Sequence, residues 1–304
     1  MKTSHTEYRG GAALSLTTRA LELVVTTSVG PRVVSLRSRE APSGNLFLEL
    51  PPDDPRLLGY QLRGGHRLWR APEHPVDTYQ PDDDPVGVRM LADGVLLTQP
   101  VEPGTGLQKE MRIELPAERT VKVTHGLINR GRRAAACAPW PVTMLRKGGY
   151  GVLPLAPVRR QSDGNLLPKY SLVPWGYTDL SLPVWDFHSG FIGIDVPRAR
   201  SAQKLGITEF PGWAAYWTEG AVFVKYAPPA RGAEFPDLGC RFETYTNGKM
   251  IELETLGALV SLAPGGRASH TEYWTVFDKI PKPDSDRAYG RFLEPAVRSW
   301  LRKL

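Results

Sequence analysis

The chain has 304 residues, 41% of them hydrophobic and 23% charged, a composition that excludes a disordered chain and leaves material for a sizeable core. Its net charge of +6 is dispersed over Arg130/Arg132/Arg133, Arg159/Arg160 and Arg298/Arg302/Lys303, without a long basic run. That argues for solvated surface and no nucleic-acid partner, while an anionic small ligand stays compatible.

The 30 glycines and 28 prolines lie between short apolar alternations, the pattern of many strands joined by turns. No run approaches about eighteen apolar residues, and the opening MKTSHTEYRGG lacks an apolar signal core. A soluble, cytoplasmic protein with no membrane partner is expected. Cys137 and Cys240 lie outside any CxxC spacing and read as buried small hydrophobes, with neither a metal site nor a disulfide. P-loop, GxGxxG, HExxH and GxSxG patterns are missing, which removes the usual sequence support for nucleotide, zincin and nucleophile-elbow chemistry.

In chain order, residues 13 to 37 predict an opening meander, and Asn45 to Leu50 a further short strand. Residues 59 to 86, GYQLRGGHRLWRAPEHPVDTYQPDDDPV, read as a functional loop dense in Arg, His, Trp and Tyr. Within it Arg67 and Arg70 offer forked donors, His66 a group titrating near neutrality, and Trp69 a flat apolar face. A plain surface loop with Trp69 plugging a core edge would read the same.

Val86 to Leu115 suggests a meander, and Arg119 to Ile128 a strand whose His125 sits among apolar neighbours as a hydrogen-bonded core residue. Ala134 to Leu145 is a strand that Pro139 and Pro141 should confine to an edge or bulge. Residues 160 to 190 form a long loop of the lid or binding kind. Trp213 to Trp217 and Val222 to Tyr226 make a hairpin, with Lys225 on the face of Phe223. Leu293, Val297, Trp300, Leu301 and Leu304 have helical spacing. The expected organisation is one all-β domain over 1–283 with a helical tail, 284–304, packed on it.

Between Asp237 and Phe277 the sequence is most informative. Asn247-Gly248 signals a hairpin between Arg241–Thr246 and Met250–Leu256. Period-two alternation sets Glu252 and Glu254 on one face, close enough for each charge to raise the other's pKa. An ordinary solvated strand face is the alternative.

The stretch MIELETLGALVSLAPGGRASHTEYWTVF resembles the C-terminal signature of the galactose mutarotase (aldose 1-epimerase) superfamily: a Leu-Glu-Thr strand (Leu253–Thr255), an apolar strand, a Pro-Gly turn and a closing His-Thr-x-x-Trp strand. The Tyr245-Thr246-Asn247-Gly248 turn is similar to that family's Tyr-Thr turn, and GGHRLWRAPE, YTDL, GWAAYW and ELETLG together resemble a DUF4380-type branch. The resemblance implies a β-supersandwich of the galactose mutarotase type with a short C-terminal helix and a sugar on the concave face of the large sheet. In such enzymes the Leu-Glu-Thr glutamate, here Glu254, takes the anomeric proton while a histidine protonates the ring oxygen. The strand that should carry that histidine reads AAACAPWPVTML, with Trp140 near its place, and the region of a sugar-binding aspartate reads SAQKLG, with Lys204. His66 is the best substitute acid.

The resulting expectation is an aldose 1-epimerase-type isomerase using Glu254 and His66, with no metal and no cofactor, since proton transfer alone opens a hemiacetal. The substrate-binding candidates are Arg67, Trp69, Arg70, Glu73, Trp140, Lys204, Trp213, Lys225, Tyr245, Asn247 and Glu252. The alternative is a non-catalytic carbohydrate-binding protein that kept the site. In either case the partner is a small-molecule sugar, anionic if Arg67, Arg70, Lys204 and Lys225 converge, and the protein a monomer or homodimer.

Overall fold

A computed structural model gives the architecture and describes residues 1–41 and 43–304. Two antiparallel sheets lie face to face, as expected of the all-β supersandwich. The larger runs Lys2–Tyr8, Gly11–Thr17, Leu21–Thr26, Arg32–Ser38, His66–Ala71, Ala135–Arg146, Met250–Thr255, Phe242–Thr246, Gln203–Ile207, Leu172–Pro174, with Val260–Leu262 paired to the first residues of Ala135–Arg146. The smaller runs Trp185–Phe187, Phe191–Asp195, Tyr150–Pro154, Trp213–Thr218, Ala221–Tyr226, Arg267–Asp278, Thr120–Asn129, Leu107–Ala117, Gly94–Thr98, Gly87–Met90.

The core follows from strand alternation. Leu21, Leu23 and Val25 on one sheet and Val121 and Val123 on the other are fully buried and belong to one apolar cluster between the layers. Ile251 and Leu253 join it, so the intervening Glu252 and Glu254 must look out of the opposite face of the larger sheet.

Three expectations need correction. Ala135–Arg146 is an interior strand, not an edge. It pairs with Met250–Thr255 only from Val142 to Arg146, so Pro139 and Pro141, whose missing N–H groups fall on one side, lie past the end of that ladder. HRLWRA is a central strand, not loop, and the left-handed Gly64 and Gly65 turn the chain into it. Asn45 to Leu50 makes only isolated bridges at Phe47 and Glu49, because the Asn45 side chain takes the backbone N–H of Leu36 at 3.1 Å and of Phe47 at 3.0 Å.

The predicted C-terminal helix is present. Ser285 caps a short turn at Asp286–Ala288, a wide turn follows over Tyr289–Leu293, and an α-helix spans Glu294–Leu301 with Pro295 in its first turn. Tyr289, Leu293, Val297 and Trp300 bury against Tyr150, Phe191 and Trp213 on the outer face of the smaller sheet. Leu304 falls beyond the helix and is 46% exposed. Among the described residues no helix is long and apolar enough to cross a membrane.

Candidate functional site

Strand register builds a site on the outer face of the larger sheet. Trp69 opposes Trp140; Arg67 opposes Val142, then Glu254, then Glu243; Met144 opposes Glu252, then Tyr245, then Lys204. Opposed residues and their i±2 neighbours share a face, so these rows present aromatic rings, carboxylates and two cations together. A cavity of about 320 Å³ opens over them, lined by Arg67, Trp69, Trp140, Lys204, Tyr245 and Glu252, with Leu57, Leu62, Glu73, Tyr79, Tyr177 and Asn247 around it.

The charges are tightly organised. Arg67 Nη2 donates to Glu252 Oε1 at 3.0 Å while its guanidinium stacks 3.7 Å from the centre of the Trp69 ring. Trp69 is in turn wedged edge-on between Tyr60 and Tyr79, and the Tyr79 hydroxyl donates to Glu73. Lys204 Nζ lies 2.8 Å from Glu243 Oε2 and 3.1 Å from Glu254 Oε2, between the rings of Trp140 and Trp175, each 4.6 Å away. Trp140 Nε1 also donates to Glu254 Oε2, at 2.8 Å.

Burial alone would lower the pKa of Lys204, but the carboxylates of Glu254 and Glu243 raise it well above the lysine range, so the amine stays an ammonium. Glu243 has the opposite problem. Burial pushes its carboxyl well above the usual range, Lys204 opposes this, and the charges of Glu254 and Asp237 push further up. One ammonium thus answers a cluster of carboxyl groups, and Glu254 Oε2 takes both that ammonium and the Trp140 indole N–H. Glu252 is also raised, by burial first, against Arg67 and with Glu254 adding to the rise.

Several buried polar atoms here have no partner in the protein: Arg67 Nε and Nη1, Trp69 Nε1 and Glu254 Oε1. Unpaired buried donors and acceptors are costly; Arg67 and Trp69 belong to the cavity wall, whereas Glu254 Oε1 lies behind it. A separate hollow of about 200 Å³ between Phe210, Pro228, Leu256 and His270 has no carboxylate in its wall.

Eight of the candidate binding residues are thus brought together: Arg67, Trp69, Glu73, Trp140, Lys204, Tyr245, Asn247 and Glu252. Glu254 is on the same face but fully buried beneath Trp140 and Lys204. The remaining candidates lie elsewhere. His66, one residue out of phase with Arg67, points into the interior and bonds Thr143 and His125. Arg70 shares that phase and pairs with Asp77. Lys225 is buried between the sheets on Glu272, and Trp213 packs under the C-terminal helix. The four cations proposed for an anionic ligand therefore do not converge, and the two that do are each answered by a glutamate. Among the described residues no histidine lines the cavity.

Sequence reasoning missed Glu243, Tyr79 and Tyr177. Glu243 could have been found from the hairpin: Thr246 pairs with Ile251, a four-residue loop, which carries Glu243 opposite Glu254. Tyr177 comes from the long 160–190 loop, which the sequence marks as a lid or binding segment without singling Tyr177 out as a site residue.

No protein-family model matches the chain, and no curated protein matches it. Solved structures do. A galactose mutarotase-like protein from Lactobacillus casei ATCC 334 is 9% identical, with 87% of this chain and 100% of that one covered at a TM-score of 0.59. A Klebsiella pneumoniae protein provisionally assigned as an aldose 1-epimerase is 11% identical, covering 99% and 86% at 0.60. A galactose mutarotase-like protein from Clostridium acetobutylicum is 10% identical, covering 91% and 98% at 0.57. The fold is that of the galactose mutarotase-like proteins, as the resemblance implied.

Proposed function

We propose that this chain binds a free aldopyranose over Glu252 and Arg67 and interconverts its anomers. The observation that carries the reading is one cavity whose wall brings together Arg67, the Glu252 carboxyl and the indoles of Trp69 and Trp140. Sugar hydroxyls suit a wall of charged and polar groups, and the apolar faces of a pyranose suit the rings of Trp69 and Trp140. At about 320 Å³ the cavity is at the small end of the roughly 300–1,000 Å³ typical of small-molecule sites, which favours a monosaccharide. Because Glu252 and Glu254 answer Arg67 and Lys204, a neutral sugar suits the charge balance better than an anionic one.

In this reading a carboxylate of the Glu252/Glu254 pair accepts the proton of the anomeric hydroxyl as the C1–ring oxygen bond breaks and the carbonyl forms. The ring oxygen takes a proton from water or from the Tyr177 hydroxyl at the wall, since the Lys204 ammonium is held by two carboxylates. After rotation about C1–C2 both protons return. The test is anomer exchange by NMR on freshly dissolved sugars with wild type, Glu252→Gln and Glu254→Gln. Loss of exchange in either variant with folding intact is expected; equal rates in all three overturn the reading.

A second reading, binding without turnover, is favoured by one observation: the cavity has no histidine, and Glu254 lies behind Trp140 and Lys204. Saturable quenching of tryptophan fluorescence by a sugar whose anomers exchange no faster than in buffer would select it.

A further inference from the structure

Away from the cavity, the interior of the sandwich holds a polar cluster that neither the core nor the sugar site uses. His66 from the larger sheet meets His125 and Glu272 from the smaller, all three fully buried. The His66 and His125 Nε2 atoms are 3.2 Å apart, and Glu272 Oε2 stands 3.5 Å from His125 Nε2 and 3.9 Å from His66 Nε2. Two imidazole nitrogens and one carboxylate oxygen thus lie within 4 Å of one another around one point.

We propose that this point is a structural binding site for one divalent transition-metal ion, zinc by preference, ligated by His66 Nε2, His125 Nε2 and Glu272 Oε2.

The spacing supports it. Donors about 2.0–2.1 Å from one ion lie roughly 3.3–3.4 Å apart at tetrahedral angles and about 2.9–3.0 Å apart at right angles. The observed 3.2 and 3.5 Å lie close to tetrahedral and trigonal spacings, 3.9 Å is wider than either, and all three are too wide for an octahedral face. Orientation supports it too. His66 Nδ1 is 2.8 Å from Thr143 Oγ1, and an N–H donated there leaves the Nε2 lone pair facing the common point, the usual outer support of a metal-binding histidine. Without an ion, two Nε2 atoms at 3.2 Å can share only one proton, and the same Oε2 already accepts from Trp274 Nε1 at 3.1 Å.

Two features oppose binding. Lys225 Nζ sits 2.9 Å from the other oxygen, Oε1, so the carboxylate answers an ammonium as well. That charge is spread over Pro141 O, Thr143 Oγ1 and Leu253 O at 3.0–3.1 Å. His125 Nδ1 has no partner in the protein, a cost that coordination of Nε2 has to offset. The ligands come from three separate strands at positions 66, 125 and 272, which is why no motif announces them.

The test is metal analysis of the untagged full chain, both as purified from zinc-supplemented cells and after refolding from urea with and without zinc, since a ligand set with no exposed atom fills during folding. About one equivalent of zinc surviving dialysis against chelator, and a higher melting temperature after refolding with zinc, are expected. His125→Gln should fold and carry under roughly a tenth of an equivalent. If that variant does not fold, refolding the wild type with cobalt(II) decides: intense visible bands of a four-coordinate site support the proposal, and weak octahedral bands overturn it. A folded wild type with no bound metal and no response to zinc overturns it outright, with no bearing on the sugar reading.

Discussion

Glu243 and Glu254 stand directly opposite each other in the hairpin, and the Lys204 ammonium reaches both, at 2.8 and 3.1 Å. Like charges so placed repel, and the cation shared between them relieves that repulsion, while burial pushes the Glu243 carboxyl well above the usual range. The cavity wall is therefore built on an ionic layer that is itself almost closed to solvent.

Removing the cation should expose that balance. In Lys204→Met the two carboxyls lose their counter-charge while a chain of similar volume still fills the gap between Trp140 and Trp175. Breaking a buried pair from one side costs about 3–5 kcal/mol, so the urea midpoint should fall by that equivalent at unchanged m. The double variant with Glu243→Gln should recover part of the loss. If Lys204→Met unfolds at the wild-type midpoint, Lys204 is not holding the carboxylates.

Glu243 also sets a direction for pH dependence. Its pKa is raised in the fold by burial, so the unfolded chain releases this proton near pH 4.3, as for an ordinary glutamate of about that pKa, while the folded chain keeps it. The stabilising contribution is full below the unfolded value and is withdrawn as pH rises through the folded one, at up to about 1.4 kcal/mol per pH unit. Glu243→Gln cannot ionise and removes that slope. Chemical denaturation from pH 4 to pH 9 should therefore show the variant gaining on wild type as pH rises; parallel curves would refute it.

Much of this was legible in the sequence, and the part that was not has a physical cause. Alternation in MIELETLG put Glu252 and Glu254 on one face, and the fold class followed from turns and short strands. His66 and Arg70 were misplaced because HRLWRA was read as loop; read as a strand, its period of two separates Arg67 and Trp69 from His66 and Arg70. Pro139 and Pro141 suggested an edge because the length of the neighbouring ladder, on which their tolerance depends, belongs to a strand more than a hundred residues on. Of the polar interior only His125 was legible, as a hydrogen-bonded core residue; its meeting with His66 and Glu272 exists only once the two sheets meet.

The hairpin that sets the register depends on Gly248, whose φ is 81°. A Cβ there would stand 2.4 Å from the Ala199 carbonyl oxygen, well inside contact. Gly248→Ala should cost about 1–3 kcal/mol through a strained left-handed residue and a clash with fixed backbone. Because Asn247 and Tyr245 line the cavity next to this turn, sugar affinity should fall along with the melting temperature. A variant as stable as wild type would mean that the turn relaxes freely.

Arg67 offers the sharpest separation of charge from geometry. Arg67→Lys keeps a cation beside Glu252 but forfeits the planar stack on Trp69 and the Nε and Nη1 donors that nothing in the protein uses. If those two donors serve a ligand, sugar binding followed by tryptophan fluorescence should weaken by about tenfold or more, roughly 1.4 kcal/mol, while the folded structure persists. If charge alone matters, the lysine variant should bind as wild type does, and only Arg67→Met should fail. The first outcome is expected because Glu252 already neutralises the positive charge, which leaves directional hydrogen bonding as what Arg67 contributes to a neutral ligand.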